Sequence, residues 1–295
     1  MTASRATNPV TTYRTIFVRG IELFYREAGD PARPTVLLLH GFPSSSHSFR
    51  DLIPALADEY HVIAPDYPGA GHSDAPPASV FTPTFENLAS VMEEFIRTIG
   101  LGRFALYMHD FGGPVGFRIA VRHPEWVDAL IVQNANAYLE GVAPDLLKGI
   151  RARSGGKQTP EAIASTDAAF GHETTLFFYK QGTRHPESLN PDAWKMDEAV
   201  LQNADALRIQ RALIVDYASN LDEYPRWQNY LRVHAPRTLI VWGKGDAVFL
   251  PAGAEAYERD VPDAELHFFD TGHFALEEEH AAIARKIREF LAARR

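Results

Sequence analysis

Residues 104–120 read FALYMHDFGGPVGFRIA, and the reading of this stretch decides the fold. Phe104-Ala105-Leu106-Tyr107-Met108 is a short apolar run of the length and type of a buried strand. The chain then turns abruptly through His109-Asp110-Phe111-Gly112-Gly113 and continues as Pro114-Val115-Gly116-Phe117-Arg118-Ile119-Ala120, a helical segment. Gly112 and Gly113 let the backbone turn without a Cβ clash, and Pro114 suits a first helical turn. A strand, a tight turn and a helix in this order push one side chain into a pocket, as in a nucleophile elbow. Here that side chain is Asp110, a carboxylate and not a serine.

The difference carries chemistry. A serine must lose a proton before it attacks, whereas a carboxylate is already an anion at neutral pH. Amide donors and the positive end of the following helix are expected to help keep Asp110 ionised. Such a group suits displacement at a saturated carbon, as in opening an epoxide or expelling a halide. The competing reading is a simple helix cap, since Asp is a favoured N-cap residue.

Outward from the elbow, apolar runs alternate with amphipathic segments. Thr12 to Glu27 gives two strands meeting near Arg19-Gly20. Val36-Leu37-Leu38-Leu39-His40 suits a strand covered on both faces and leads into His40-Gly41-Phe42-Pro43. Ser48 to Leu56 is helix-like. Tyr60 to Pro65 is the next strand, followed by the glycine-punctuated loop Asp66–Ser73. Leu88, Val91, Met92, Phe95, Ile96 and Ile99 place a helix over Phe85 to Ile99. Trp126 to Val132 and Thr238 to Gly243 read as strands, Pro251 to Asp260 as a helix, Ala264 to Phe269 as a strand and Ile283 to Ala293 as the last helix. The pattern predicts an α/β fold with a mostly parallel sheet flanked by helices. It breaks between Asn134 and about Leu231, a stretch of short helices and loops. We therefore expect a core of residues 1–135 and 231–295 and a mainly helical cap of residues 136–230, inserted over the carboxyl ends of the strands, where open α/β sheets bind ligands.

The 295 residues are 45% hydrophobic with a net charge of −9, enough chain for one large domain with an insertion. The acidic balance, with no block of Lys and Arg, argues against a nucleic-acid or anionic-membrane partner. The absence of cysteine excludes disulfides, thiolate catalysis and Cys-based metal sites. The 12 histidines include no HExxH or HxH pair, so no metal is expected. MTASRATNPV lacks the apolar core of a signal peptide, and no apolar run approaches the roughly 20 residues that span a bilayer. The expectation is a cytoplasmic protein without a cofactor; the oligomeric state is not legible.

Two further groups sit at strand ends. Asp246 follows a strand in Gly243-Lys244-Gly245-Asp246, and His273 follows the last strand in Asp270-Thr271-Gly272-His273-Phe274. The order nucleophile, acid, histidine is that of α/β-hydrolase triads. Together with His40-Gly41-Phe42-Pro43, the Asp66–Ser73 loop and His109–Gly113, these motifs resemble the epoxide hydrolase and haloalkane dehalogenase branch of the α/β-hydrolase fold. The resemblance implies Asp110 as nucleophile, His273 as general base, Asp246 as its orienting acid, and the backbone amides of Phe42 and Phe111 as the oxyanion hole. It implies two steps: attack of Asp110 forms an alkyl ester, and water activated by His273 hydrolyses it.

Enzymes that the chain resembles open epoxides with two cap tyrosines. Asp216-Tyr217-Ala218-Ser219-Asn220 looks like the segment of the second, which nominates Tyr217 as ring-opening acid. The first tyrosine position falls near Thr174, with Tyr179 the nearby substitute. Pocket residues are assigned to His40, Pro43, His109, Phe177, Phe178 and Trp194, giving a site for a small apolar or aromatic electrophile and water. Dehalogenases of the branch usually carry Trp after the nucleophile, where this chain has Phe111, so halide binding would fall to Trp194 or Trp227. Epoxide hydrolysis is the first expectation and dehalogenation the alternative; an esterase or a non-catalytic ligand-binding protein are further readings of the same fold.

Overall fold

A computed structural model describes residues 10–156 and 159–293 of the chain. Residues 1–9, on which most of the leader reading rests, lie outside the described residues. Eight strands form one sheet: β1 (Thr12–Val18), β2 (Ile21–Ala28), β3 (Thr35–Leu39), β4 (His61–Pro65), β5 (Phe104–His109), β6 (Val127–Gln133), β7 (Thr238–Gly243) and β8 (Glu265–Phe269). Their order is β1-β2-β4-β3-β5-β6-β7-β8. β1 pairs antiparallel with β2, and β2 antiparallel with β4. All other pairs are parallel.

The side-chain period of two divides each central strand between two cores. Leu37, Leu39, Leu106, Met108, Leu130, Val132, Ile240 and Trp242 face one side. Val36, Leu38, Ala105, Tyr107, Ala129, Ile131, Leu239 and Val241 face the other. Every residue of β3 after Thr35, and all of β5 and β7, is buried, which is why these strands read as unbroken apolar runs. Fully burying one such Leu, Val or Ile side chain contributes about 1.5–3 kcal/mol.

Helices α1 (Leu52–Leu56), α2 (Phe85–Thr98), α3 (Gly112–Arg122), α10 (Pro251–Ala256) and α11 (Leu276–Ala292) belong to the strand–helix alternation. α2 begins where Thr84 accepts the Asn87 N–H, and buries Phe85, Leu88, Val91, Met92, Phe95 and Ile96 along one stripe. The helix expected over Ser48 to Leu56 is a short 3-10 turn, Ser46–Phe49, followed by α1. α11 starts at Leu276, seven residues before the apolar stripe visible in the sequence. Its first turn carries Glu277, Glu278 and Glu279, which suit the positive end of a helix but hide its periodicity.

Among the described residues, six α-helices lie between β6 and β7: α4 (Pro144–Arg153), α5 (Pro160–Ala168), α6 (His172–Lys180), α7 (Asp192–Val200), α8 (Ala204–Asp216) and α9 (Ala218–His234). α9 docks on α3 through Trp227, stacked on Phe117 at 5.2 Å, and through Arg118, which donates to Asn220 Oδ1 at 2.7 Å. α8 covers the loop after β4, where Gln210 donates to the Gly69 carbonyl at 3.0 Å. Among the described residues no helix is long and apolar enough to cross a membrane.

Candidate active site

The turn between β5 and α3 places Asp110 at φ 50°, a left-handed conformation that few residues other than Gly, Asn and Asp adopt. Phe111, not Asp110, occupies the N-cap position of α3, and no side chain caps the helix there. The simple helix-cap reading of Asp110 is thereby corrected. Gly112 is required by crowding: a Cβ on it would lie 2.2 Å from the Leu39 carbonyl oxygen. The Asp110 carboxylate is 5% exposed and accepts the Phe42 N–H at 2.6 Å through Oδ1. Burial raises its pKa; His273 and the amides of Phe42 and Phe111 pull it down without cancelling burial. The amides act in the expected direction, favouring the charged form, but burial outweighs them.

His273 Nδ1 donates to Asp246 Oδ2 at 2.7 Å, and its Nε2 stands 3.8 Å from Asp110 Oδ2 with no hydrogen bond to any described residue. Burial lowers the His273 pKa, but the charges of Asp246 and Asp110 outweigh it and leave the imidazole above its ordinary value. Asp246 is held on all sides. Oδ1 accepts the Val248 and Phe249 N–H groups at 2.7 and 2.9 Å, and Oδ2 also accepts Asn134 Nδ2 at 2.7 Å. Asn134 was not singled out in the sequence. It sits at the end of β6 at φ 41°, accepts the Gly243 N–H on Oδ1 at 3.1 Å, and takes the Asp110 N–H on its carbonyl at 3.3 Å. One residue thus ties the carboxylate turn to the acid loop. Its signal was its place at a strand end beside β7, together with the tolerance of Asn for left-handed backbone.

Six rings close a circuit around these groups. Phe42 contacts Phe111 at 5.6 Å, Phe111 contacts Tyr217 at 5.8 Å, and Tyr217 contacts Phe249 at 6.5 Å. Phe249 reaches His273 at 5.5 Å, His273 reaches Phe178 at 5.8 Å, and Phe178 returns to Phe42 at 6.1 Å. Phe85 and Phe170 reinforce the wall from outside, against Phe111 at 4.9 Å and Phe42 at 5.5 Å. Phe85, Phe170 and Phe249 were not singled out in the sequence, because nothing in an apolar period tells a pocket wall from core. Tyr217 lies between α8 and α9. Burial first, then the Tyr224 phenol and the Asp110 charge, push its pKa well above that of a free phenol, so it carries its proton at neutral pH.

Other expected residues fall elsewhere. Tyr179 is buried, but its hydroxyl donates to Asp197 Oδ2 at 2.5 Å and not towards Asp110. Phe177 is 44% exposed: at 100° per residue, Phe177, Phe178 and Tyr179 on α6 cannot face one way, and Phe178 takes the pocket. Trp194 packs on Tyr179 at 5.7 Å beneath the Lys180 ammonium. Trp227 stacks in the α3–α9 interface. Neither tryptophan joins the aromatic circuit. His40 bonds backbone with both nitrogens, the Gly41 carbonyl and the Tyr67 N–H, and burial keeps it neutral. It braces the turn that presents the Phe42 amide. His109 Nε2 donates to the His273 carbonyl at 3.2 Å, again as a neutral imidazole because burial lowers its pKa. Pro43 is buried and follows Phe42 through a cis peptide bond.

A buried carboxylate, an imidazole with one nitrogen free, amide donors at the carboxylate and a phenol in the same circuit of rings can together support acyl- or alkyl-ester chemistry with water.

The profile of the alpha/beta hydrolase fold matches residues 34–280. An uncharacterised hydrolase of Saccharomyces cerevisiae is 38% identical over 275 residues, covering 92% of this chain and 94% of that one. Epoxide hydrolase 3 of Xenopus tropicalis is 39% identical over 116 residues, 39% of this chain and 31% of its own length. The crystal structure of Cfl2 from Burkholderia cenocepacia superposes with a TM-score of 0.77 at 25% identity, covering 95% of each chain. With the sheet order, the elbow and these matches in place, the chain belongs to the α/β-hydrolase fold family and is a hydrolase.

Proposed function

We propose that this hydrolase is an epoxide hydrolase that works through an ester on Asp110, with residues 136–230 acting as a cap that supplies part of the pocket. The observation that carries the reading is the pairing of a carboxylate on the elbow with a protonated phenol, Tyr217, in the same aromatic enclosure. A carboxylate nucleophile selects a saturated electrophilic carbon. A phenol selects a leaving oxygen that needs a proton. Halide expulsion would call for N–H donors, and the two tryptophans of the inserted segment lie outside the circuit.

In the first step Asp110 Oδ2 attacks one epoxide carbon; a C–O ester bond forms and the ring C–O bond breaks. The ring oxygen takes the electron pair and the Tyr217 proton. Alkylation removes the Asp110 charge, which is one of the two charges that raise His273. The imidazole is therefore released towards its neutral form when a base is needed. In the second step His273 takes a proton from water, whose oxygen attacks the ester carbonyl. The amides of Phe42 and Phe111 receive the oxyanion; one such donor is typically worth about 3–4 kcal/mol. Collapse frees a vicinal diol and Asp110. The two water protons restore the Tyr217 phenol and complete the second hydroxyl.

The test is the intact mass of His273→Ala after exposure to an aromatic epoxide and, separately, to a bromoalkane. A gain equal to the whole epoxide, lost in an added Asp110→Asn change, is the expected result. A gain only from the bromoalkane, short by HBr, would make the protein a dehalogenase. No adduct from either would remove the Asp110 ester and return the esterase reading.

A further inference from the structure

The end of α6 meets the loops that carry His273 and Asp246. The Tyr179 ring lies flat on Phe274, with centroids 4.1 Å apart and planes 2° from parallel. Phe274 in turn packs edge-on against His109 at 5.2 Å and His273 at 5.4 Å. The Tyr179 hydroxyl is fastened to Asp197 of α7, which fixes the plane of the ring. Beyond Tyr179 the backbone itself interlocks. A Cβ on Gly182 would lie 2.1 Å from the Gly245 carbonyl oxygen, and one on Gly272 would lie 2.1 Å from the Gln181 carbonyl oxygen. Gly182 also has φ 80°. Three backbones therefore touch with no side chain between them: the turn after α6, the loop of Asp246 and the loop of His273. The contact continues through Glu278, which accepts the Arg184 and His185 N–H groups at 3.2 and 2.9 Å and the Thr271 hydroxyl at 2.6 Å.

We propose that the segment Tyr179–Gly182 is a positioning element that holds His273 at hydrolytic distance from Asp110, so that it governs breakdown of the ester and not its formation. The inference rests on the two-step reading above. Ester formation uses the Asp110 carboxylate and the Tyr217 phenol, and the contacts of Tyr179–Gly182 go instead to Phe274, Asp197, Trp194, the Ser44 hydroxyl and the two loops. Ester breakdown depends on where His273 Nε2 points, and Phe274, the next residue, is the one that Tyr179 clamps. Tyr179 thus acts through the histidine loop and touches no reacting atom.

The experiment follows a single turnover of an aromatic epoxide by acid quench and intact mass, in the full chain and in Tyr179→Leu and Tyr179→Phe. In Tyr179→Leu, ester formation should stay within about 3-fold while ester decay slows by roughly 10- to 100-fold, the scale of a misplacement near 1 Å. Tyr179→Phe keeps the stacked ring and should recover most of the decay rate. Equal slowing of both steps would mean general support of the fold and would overturn the inference, as would unchanged decay. Should Tyr179→Leu prove too unstable to assay, Phe274→Leu, which removes the other ring of the stack, is read the same way. If His273→Ala itself collects no ester, the two-step reading fails first, and that failure is visible in the His273 variant alone.

Discussion

Tyr217 and His273 are the two residues whose surroundings make sharp demands. Tyr217 retains its proton because burial, Tyr224 and Asp110 all disfavour the phenolate. Tyr217→Phe should slow ester formation from an epoxide by about 10²- to 10⁴-fold, the usual span of a general acid, and leave ester decay unchanged. Single-turnover mass analysis reads both rates; equal loss in both would remove the acid role. His273 is held above its ordinary pKa by Asp246 and Asp110 against burial. A base must be neutral, and the ester lacks the Asp110 charge, so ester decay should rise with pH through a limb lying below that of His273 in the free enzyme. Single-turnover decay against pH, set beside an NMR titration of the free imidazole, checks this; a decay limb at or above the free value would contradict it. Asp110, Asp246 and His273, far apart in the chain, were legible as candidates at strand ends, and the structure brings the three side chains together. Tyr179 was misplaced because a helical position does not reveal which way a hydroxyl turns.

The strand–turn–helix around Asp110 is the element on which the site depends. Its strand was legible because β5 is buried on both faces, and its turn because two glycines and a proline follow one another. What the sequence could not convey is how close the turn comes to β3. Gly112→Ala would bring a methyl group against the Leu39 carbonyl, which is backbone and cannot rotate away. The elbow must then shift, and a displacement near 1 Å should cost about 100-fold in turnover. Steady-state kinetics on the folded variant check this; full activity would mean that the turn has slack. α11 illustrates the opposite limit. Glu277 accepts both Arg50 nitrogens at 2.9 and 2.6 Å, and Glu278 caps the loop after α6, so its first turn is polar for tertiary reasons that periodicity cannot encode.

At the scale of the whole molecule the inserted helices and the core meet over buried polar groups as well as rings. Asp197 of α7 has its pKa raised to about 8, by burial first, with Tyr179, Glu277, Ser44 and Arg50 as its neighbours. An acid that is protonated in the folded chain and ionised in the unfolded one makes the folded state bind more protons. Its contribution is therefore full below the unfolded value near 4 and is lost as pH rises towards about 8. Asp197→Asn, neutral throughout, should gain stability relative to the parent as pH rises across that window. Urea unfolding of both proteins at several pH values checks it, and parallel curves would refute it. The alternation of strand and helix made the core legible end to end. The six inserted helices were legible only as a break in that alternation, since their positions follow from what they cover.

The closed circuit of rings also bears on how a turnover ends. In either reading of the electrophile, hydrolysis adds at least one hydroxyl to a molecule that entered with none to satisfy. A wall of Phe42, Phe111, Phe178 and Phe249 offers such a group few hydrogen bonds, and leaving it unmatched in an apolar enclosure is costly. Water outside matches it fully. On the proposed reading the rings favour the less polar substrate over its more polar product, which biases the site towards release.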